Sequence, residues 1–252
     1  MRLPSVSLKK GIYAIVACAP MLFYSCQKDN TSSPSLQAAA TEESSDATVF
    51  KYLEDGITKL VLRPSAEDGQ DVYIDKLGNL PAGNQNYVPE LPINNWTNGD
   101  PLNTRSFLRF DKLTLVPTSA TVVSAKLYLY GLSSSLNTPQ GNSWYPGAPF
   151  GYQKNDCYVQ QVLGPWDETT LTYDNQPATS SEYQGYLAAS TSQWNYNAVV
   201  DLTTLVQKMV TDPATNYGFG IRLVNESIYR SVVFGSSEAA RNVRPRLVVK
   251  YQ

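Results

Sequence analysis

The stretch Ala125-Lys-Leu-Tyr-Leu-Tyr130 decides the fold class, because small or aliphatic side chains alternate in it with charged or aromatic ones. Successive side chains of a β-strand point to opposite faces, so this alternation predicts a strand with one face in a core. Similar short segments lie on both sides of it, among them Ser106-Phe-Leu-Arg-Phe110 and Leu247-Val-Val-Lys-Tyr251, and Gly, Pro and Asn separate them. Many short strands between turn residues predict an all-β sandwich or barrel.

One segment has helical periodicity instead. Five apolar residues recur at the spacing of a single helical face, namely Leu202, Leu205, Val206, Met209 and Val210. Asp201 stands where an N-cap belongs, and Pro213 follows the far end. The sequence therefore predicts one short helix that packs against the sandwich.

The N-terminal 30 residues have the pattern of a secretory signal peptide. Three basic residues precede an apolar run over residues 11–24, and polar residues follow it. The run is shorter than the roughly 20 residues that span a bilayer, so a transmembrane helix is not expected. Cys26 at the junction makes the segment resemble a bacterial lipoprotein signal, in which the cysteine becomes the lipidated first residue of the mature protein.

Two cysteines fit the lipidation site. Ile15-Val-Ala-Cys18 has suitable residue types, but cleavage there leaves a very short apolar segment and exposes the apolar residues 19–24. Cys26 follows a full apolar segment and precedes polar chain, so we favour it and keep Cys18 as the alternative.

The expected organisation follows from this choice. It comprises a signal peptide over residues 1–26, a flexible tether rich in Ser, Thr and Ala over residues 27–48, and a β-sandwich domain over residues 49–252. Gln27-Lys-Asp29 resembles a tag that sends some lipoproteins to the outer face of the outer membrane. The predicted location is therefore the outer membrane, facing the cell exterior.

Composition excludes several classes of function. The chain has no histidine, which excludes a Ser-His-Asp triad, a Cys-His dyad and any His-ligated zinc site. Beyond the signal region only Cys157 remains, and we expect it to be a buried thiol. Without residues 1–26 the chain has 17 basic and 22 acidic residues, a net charge of −5. Such a chain lacks the basic footprint of nucleic-acid binding, and only a lipid anchor would hold it to a membrane.

Five segments occur in an order that resembles one known family. They are Arg105-Ser-Phe-Leu-Arg-Phe-Asp111, Pro117–Tyr130, Trp166-Asp-Glu-Thr-Thr-Leu-Thr-Tyr-Asp-Asn-Gln-Pro177, Asp201–Val206 leading into Asn216–Leu223, and Arg244–Tyr251. Together they resemble the DNRLRE-domain family, which overlaps carbohydrate-binding module family 96, over roughly Leu60–Tyr251. The resemblance implies a β-sandwich of jelly-roll type in a secreted or surface protein. It also implies binding of acidic polysaccharides such as alginate, as in some relatives attached to polysaccharide-degrading enzymes.

Aromatic rings and arginines are the candidate ligand-binding residues. Aromatic rings can stack on the apolar faces of sugar rings, and an arginine can clamp a uronate carboxylate with two hydrogen bonds. The loops over residues 80–103 and 132–155 are long for a compact domain, and both contain tryptophan. We predict stacking by Trp96, Trp144, Tyr145 and Tyr229, and carboxylate contact by Arg105 and Arg230.

Two acidic segments are candidates for other chemistry. Glu67-Asp-Gly-Gln-Asp71 is oxygen-rich like a calcium loop but lacks the full ligand spacing, so Asp68 and Asp71 are weak candidates for a structural calcium ion. Asp167 and Glu168 could form an acid–base pair, but the turn around them favours hydrogen bonds to turn amides and hydroxyls. No catalytic residue and no other cofactor is predicted.

The function predicted from the sequence is non-catalytic binding of a polysaccharide. One alternative is a structural or adhesive surface protein, which would bind another protein through a flat apolar patch. A less favoured alternative is a polysaccharide lyase that uses Tyr and Arg without histidine.

Substitution of the lipidated cysteine tests the predicted anchor. Cys26→Ala should abolish labelling by a radioactive fatty acid and release the protein from the membrane fraction, because the substituted side chain has no thiol to acylate. Cys18→Ala is the matched control and should remain labelled. Labelling that survives in Cys26→Ala and disappears in Cys18→Ala would identify Cys18 as the junction.

Overall fold

Two antiparallel sheets form the framework of residues 48–252, the part of the chain that the computed structural model describes. The predicted signal peptide, Cys18, Cys26 and the tether up to residue 47 lie outside the described residues. The strands are β1 (Val49–Glu54), β2 (Ile57–Leu62), β3 (Gln70–Leu77), β4 (Gly83–Gln85), β5 (Leu91–Asn98), β6 (Asp100–Arg109), β7 (Val122–Leu129), β8 (Cys157–Val162), β9 (Thr179–Leu187), β10 (Ala198–Asp201), β11 (Phe219–Leu223), β12 (Arg230–Phe234) and β13 (Arg246–Tyr251). Helix α1 covers Thr203–Thr211, and short 3-10 turns cover Asp111–Leu115, Pro213–Thr215 and Arg241–Val243.

The strand order is that of a jelly roll. Sheet one has the order β1-β2-β13-β7-β10, and sheet two contains β12-β5-β6-β11-β8-β9, with β3 also paired to β6 and β4 to β3. Eight strands form four nested pairs along the chain. The outermost pair is β2 with β13, followed inward by β6 with β11, β7 with β10, and β8 with β9. This nested pairing of a folded-over ribbon confirms the all-β, jelly-roll prediction.

The main core lies between the two sheets, and strand alternation fills it. In β7, Ala125, Leu127 and Leu129 are fully buried, whereas Lys126 between them is exposed. Sheet two contributes inward residues in the same way, including Leu108 from β6 and Phe219 from β11. The alternation in the sequence therefore identified the core face of these strands.

A second apolar cluster covers the outer face of sheet two. Phe107 lies next to Leu108 in β6 and so points to the opposite face, where it meets Val72 and Ile74 of β3. Trp166 and Leu171, from the segment between β8 and β9, pack over these side chains. Sheet two is thus buried on both faces, and segment 163–178 forms an extra layer on it.

Beyond the end of β10, side chains of helix α1 form hydrogen bonds with the edge of β7. Thr203 Oγ1 accepts a hydrogen bond from the Ala125 amide at 3.0 Å, and Gln207 Oε1 accepts one from the Val122 amide at 2.7 Å. The buried face of α1 is the predicted one, with Leu205, Val206, Met209 and Val210. No helix in the described range has the length and apolarity needed to cross a membrane.

The predicted cap of this helix is displaced by one residue. Leu202 is the N-cap and has no side-chain cap hydrogen bond, while Asp201 is the last residue of β10. Asp201 Oδ1 nevertheless accepts a hydrogen bond from the Thr203 amide at 2.9 Å, so its carboxylate satisfies one of the free amides of the first turn. Pairing with β7 keeps Asp201 in the strand, which is why the helix starts later than predicted.

Loss of the Gln207 side chain should destabilise the fold. Gln207→Ala leaves the Val122 amide and the Ala120 carbonyl without their side-chain partner, and we expect the free energy of unfolding to fall by about 1–3 kcal/mol. Lys208→Ala is the control on the same helix. It breaks only the partly exposed pair with Glu182 and should cost less than about 1 kcal/mol in urea unfolding. Equal losses in the two variants would show that Gln207 does not support the edge of β7.

Candidate functional site

The predicted ligand residues lie around two separate depressions of the surface. Arg105 lines a groove of about 350 Å³ on the outer face of sheet two. Trp144 and Tyr145 line a hollow of about 480 Å³ formed by the long loop between β7 and β8. The two depressions share no lining residue, so the structure does not place Arg105 together with the loop aromatics.

The first depression, here called the arginine groove, is formed by strands and by the added segment on sheet two. Its lining residues are Arg105, Phe107, Gln160, Gln176, Pro177, Ala178, Thr179, Gly220, Ile221 and Arg222. Gly220 lies at its floor, where a Cβ would approach Thr179 Cγ2 to 3.1 Å and Phe107 Cε1 to 3.4 Å. The absence of a side chain at Gly220 therefore keeps the groove open.

The charge of Arg105 is largely satisfied within the protein. Its Nε and Nη2 each donate to a carboxylate oxygen of Glu226 at 2.8 Å, and Nη1 donates to Gln176 Oε1 at 3.0 Å. The guanidinium carbon also lies 5.0 Å from the centre of the Tyr173 ring. Burial lowers the pKa of Arg105, but the hydrogen bonds and the charge of Glu226 raise it by more. Arg105 thus acts mainly as a structural ion pair at the rim of the groove.

Arg222 is the cation of the groove that keeps donors available. Its Nε donates to Gln160 Oε1 at 3.1 Å, and the guanidinium carbon lies 5.7 Å from the centre of the Tyr158 ring. Within residues 48–252 its two terminal nitrogens donate to no protein acceptor. Gln160 is itself held by Thr179 and Gln184, at 2.7 and 2.6 Å, so the guanidinium group is oriented by a fixed partner.

The second depression, here called the aromatic hollow, is lined by rings and by small residues. Its lining residues are Trp144, Tyr145, Pro146, Gly147, Ala148, Pro149, Tyr152, Ser190 and Thr191. The Trp144 side chain is 47% exposed, so its ring is available to a ligand. Trp96 makes edge-to-face contacts with Tyr152 and Tyr229, at centroid distances of 5.0 and 5.4 Å, and so contacts one residue that lines the hollow.

Arg230 lies beside this aromatic group but is bonded to its own loop. Its Nη1 donates to the carbonyl oxygens of Ser227 and Ile228, at 3.1 and 3.2 Å. Tyr229 has a positive φ of 66° and is 39% exposed. The predictions of ligand contact by Tyr229 and Arg230 stay predictions, and the structure assigns Arg230 a turn-stabilising role.

Comparison with known proteins agrees with this architecture. The family model of carbohydrate-binding module family 96 matches residues 66–251, which is most of the chain. The chain belongs to carbohydrate-binding module family 96. Among curated proteins no significant match was found.

The family match confirms the resemblance inferred from the ordered segments. It supports carbohydrate binding and suggests a non-catalytic role for this family 96 module. The segment Trp166–Pro177, one of the segments that carried the resemblance, forms both the outer apolar layer and one wall of the arginine groove. The stretch that identifies the family therefore also shapes the groove.

Asp167 makes turn hydrogen bonds of the predicted kind, whereas Glu168 accepts a hydrogen bond from a residue of β3. Asp167 accepts hydrogen bonds from the amide, at 2.8 Å, and the hydroxyl of Thr169, and these bonds lower its pKa. Glu168 Oε2 accepts a hydrogen bond from the Asp71 amide at 3.2 Å. Cys157 is fully buried, and burial raises the pKa of its thiol well above the usual range.

The calcium candidates Asp68 and Asp71 differ in their surroundings. Both oxygens of Asp68 accept hydrogen bonds, from Ser65 and from Thr48, at 2.7–2.9 Å. Asp71 is buried, its Oδ2 accepts from the Ser237 amide at 2.9 Å, and its Oδ1 has no hydrogen-bond donor. In residues 48–252 no group of three or more Asp, Glu, Cys or His side chains is placed to hold a metal ion.

The sequence analysis did not single out Arg222, Gln160 or Tyr152, which the family 96 fold brings to the two depressions. Arg222 and Gln160 belong to different strands and meet only through the pairing of β11 with β8. Tyr152 carried a usable signal, because it lies in the same aromatic-rich loop as Trp144. No feature of the sequence alone separates Arg222, with its free donors, from Arg105, which is paired.

Opposite pKa shifts predict opposite pH effects at Asp71 and Asp68. Burial, and then repulsion by Glu238, raises the pKa of Asp71, so its contribution to stability is present below about pH 4 and is lost as the pH rises through its folded-state pKa. Asp71→Asn should therefore be more stable than the wild type in urea unfolding at about pH 8, with an advantage that shrinks toward about pH 4.

Asp68→Asn is the matched control with the opposite sign. Although burial raises its pKa, the hydrogen bonds from Ser65 and Thr48 lower it by more, so the charged form stabilises the fold above about pH 4. Asp68→Asn should therefore be less stable than the wild type at about pH 8, and the deficit should close in acid. Stabilisation of the wild type, but not of Asp71→Asn, by millimolar Ca²⁺ would contradict a buried carboxyl group without a bound ion at Asp71 and favour a bound cation.

Proposed function

We propose that this module binds an acidic polysaccharide without cleaving it, and that the arginine groove is where a uronate residue binds. The observation that carries the proposal is the free end of Arg222, whose terminal nitrogens have no protein acceptor within residues 48–252. Two parallel N–H donors on a planar group match the two oxygens of a carboxylate. The family match supports carbohydrate as the ligand class.

The remainder of the groove suits a sugar chain. Pro177 and Ala178 supply apolar surface for the ring faces, and Gln176 and Thr179 supply polar groups for hydroxyls. Both polar side chains are already held by neighbours, for example Gln176 Nε2 by the Tyr173 carbonyl at 2.6 Å. Groups that are fixed before binding lose little conformational freedom on binding, which favours affinity.

Net charge limits the strength of this interaction. The chain without residues 1–26 has a net charge of −5, so it repels a polyanion at long range and must rely on the local contact at Arg222. We expect dissociation constants in the micromolar to millimolar range, or about −8 to −4 kcal/mol. A lipid anchor at Cys26 on the outer membrane, facing the exterior, would then hold the module where extracellular polysaccharide reaches it.

Removal of the free guanidinium group tests the proposal. Arg222→Gln should weaken binding of an oligo-alginate by about tenfold or more in calorimetry, because one charge-assisted pair is worth about 1.5–3 kcal/mol. Arg222→Lys keeps the charge but not the two-pronged geometry, and it should recover only part of the affinity.

Lys126→Gln provides the matched control. It removes one positive charge from the exposed side of β7 in sheet one, away from the groove, and should change the affinity by less than about twofold. Wild-type affinity in Arg222→Gln would exclude the groove as the uronate site. Shortening of the oligo-alginate by the purified protein would contradict the non-catalytic assignment.

A further inference from the structure

The aromatic hollow has a lining without charged side chains. Trp144, Tyr145 and Tyr152 supply aromatic rings, two prolines supply further apolar surface, and Thr191 supplies a hydroxyl group. An uncharged wall of this kind offers nothing that would compensate for the desolvation of a carboxylate. The volume of about 480 Å³ lies within the range of roughly 300–1,000 Å³ typical of small-ligand pockets.

The loop that forms the hollow is anchored by buried polar side chains. Asn142 Oδ1 accepts a hydrogen bond from the Val233 amide at 3.0 Å, and Ser143 exchanges hydrogen bonds with Ser231 at 2.8 and 3.0 Å. These bonds occupy the edge of β12 opposite β5, where no strand among residues 48–252 pairs and an isolated bridge joins Phe234 to Gly131. The loop is therefore attached to sheet two like an additional strand.

A second anchor fixes the backbone at Trp144 itself. Ser190 is buried and donates its hydroxyl hydrogen to the Trp144 carbonyl at 2.6 Å. Asn155, which is also buried, holds Ser190 through two hydrogen bonds of 2.8 and 2.9 Å. The edge-to-face contact with Trp96 fixes the Tyr152 ring in addition. An exposed tryptophan on a fixed backbone is arranged for contact with a ligand before the ligand arrives.

We propose that the aromatic hollow is a second glycan site of this module, which takes an uncharged pyranose ring and works independently of the arginine groove. Aromatic faces suit the apolar faces of such a ring, and the hollow is concave, whereas a protein partner of an adhesive module would need a flat patch. The absence of any shared lining residue makes the two sites separable by substitution. A polysaccharide with both uncharged and acidic sugar residues could occupy both sites at once, which would raise its avidity for the module.

A two-ligand titration tests this site. The purified protein is titrated by calorimetry with neutral oligosaccharides of β-1,4-glucan, β-1,4-mannan and β-1,4-xylan, and separately with oligo-alginate. Trp144→Ala should weaken binding of the neutral probe by about tenfold at low and high salt alike, because stacking on an uncharged sugar is not screened. It should leave oligo-alginate binding within about twofold of the wild type, and Trp144→Phe should recover most of the neutral affinity.

Phe150→Ala is the matched control, because Phe150 is fully exposed on the same loop and does not line the hollow. It should leave all affinities within about twofold. Arg222→Gln should leave binding of the neutral probe unchanged, because Arg222 does not line the hollow. If the wild type does not bind oligo-alginate, the groove proposal is disproved and the proposal of a second site is unaffected. The second site is disproved if no neutral probe binds, if Phe150→Ala weakens binding as much as Trp144→Ala, or if Trp144→Ala weakens alginate binding as much as Arg222→Gln.

Discussion

The burial of Phe107 on the outer face of sheet two is the constraint on which the rest of the structure depends. Strand β6 places Leu108 in the main core and Phe107 on the opposite face, so sheet two needs an apolar cover on both sides. Trp166 provides this cover, with its ring 5.9 Å from the Phe107 ring and its Nε1 donating to the Tyr217 carbonyl at 2.7 Å. Once Trp166 is fixed, the chain that follows it must cross the face of the sheet, and the groove is the space left between them.

Strand alternation and segment order in the sequence predicted the fold class but not every strand or the site, because the predicted loop over residues 80–103 contains β4, β5 and the start of β6. The period-two pattern of Ala125–Tyr130 identified a real core face, and the jelly-roll expectation from the family resemblance agrees with the nested strand pairing. The start of α1 was displaced by one residue because pairing with β7 extends β10 through Asp201, a tertiary effect that local capping preferences do not contain. The core is predictable because each strand contributes to it by the same simple rule.

The site residues depend instead on partners far away in the chain. Arg105 is neutralised by Glu226, 121 residues later, whereas Arg222 has no carboxylate partner in the described part of the chain and keeps its donors. Asp71 likewise faces Glu238 from a distant turn, so an apparent calcium loop contains a buried carboxyl group with a raised pKa. Which of several similar charges is free is a property of the folded arrangement. Composition and spacing can therefore identify arginines and aromatic residues as candidate ligand-binding residues, but they cannot show which of these side chains remain free to bind a ligand.

Strand β1 gives the domain a defined path for mechanical load. It is the first described strand, it lies at the edge of sheet one, and among the described strands it pairs only with β2. Tension that enters through the N-terminal chain is therefore borne first by the β1–β2 hydrogen bonds, and β1 is only partly buried. The arginine groove lies on sheet two, and the loop of the aromatic hollow is anchored to β12 of the same sheet, so both are outside that path. Peeling of β1 would lengthen the chain on the N-terminal side of the domain by a few nanometres at most, at roughly 3.3–3.6 Å per residue, while the arginine groove and the aromatic hollow stay folded.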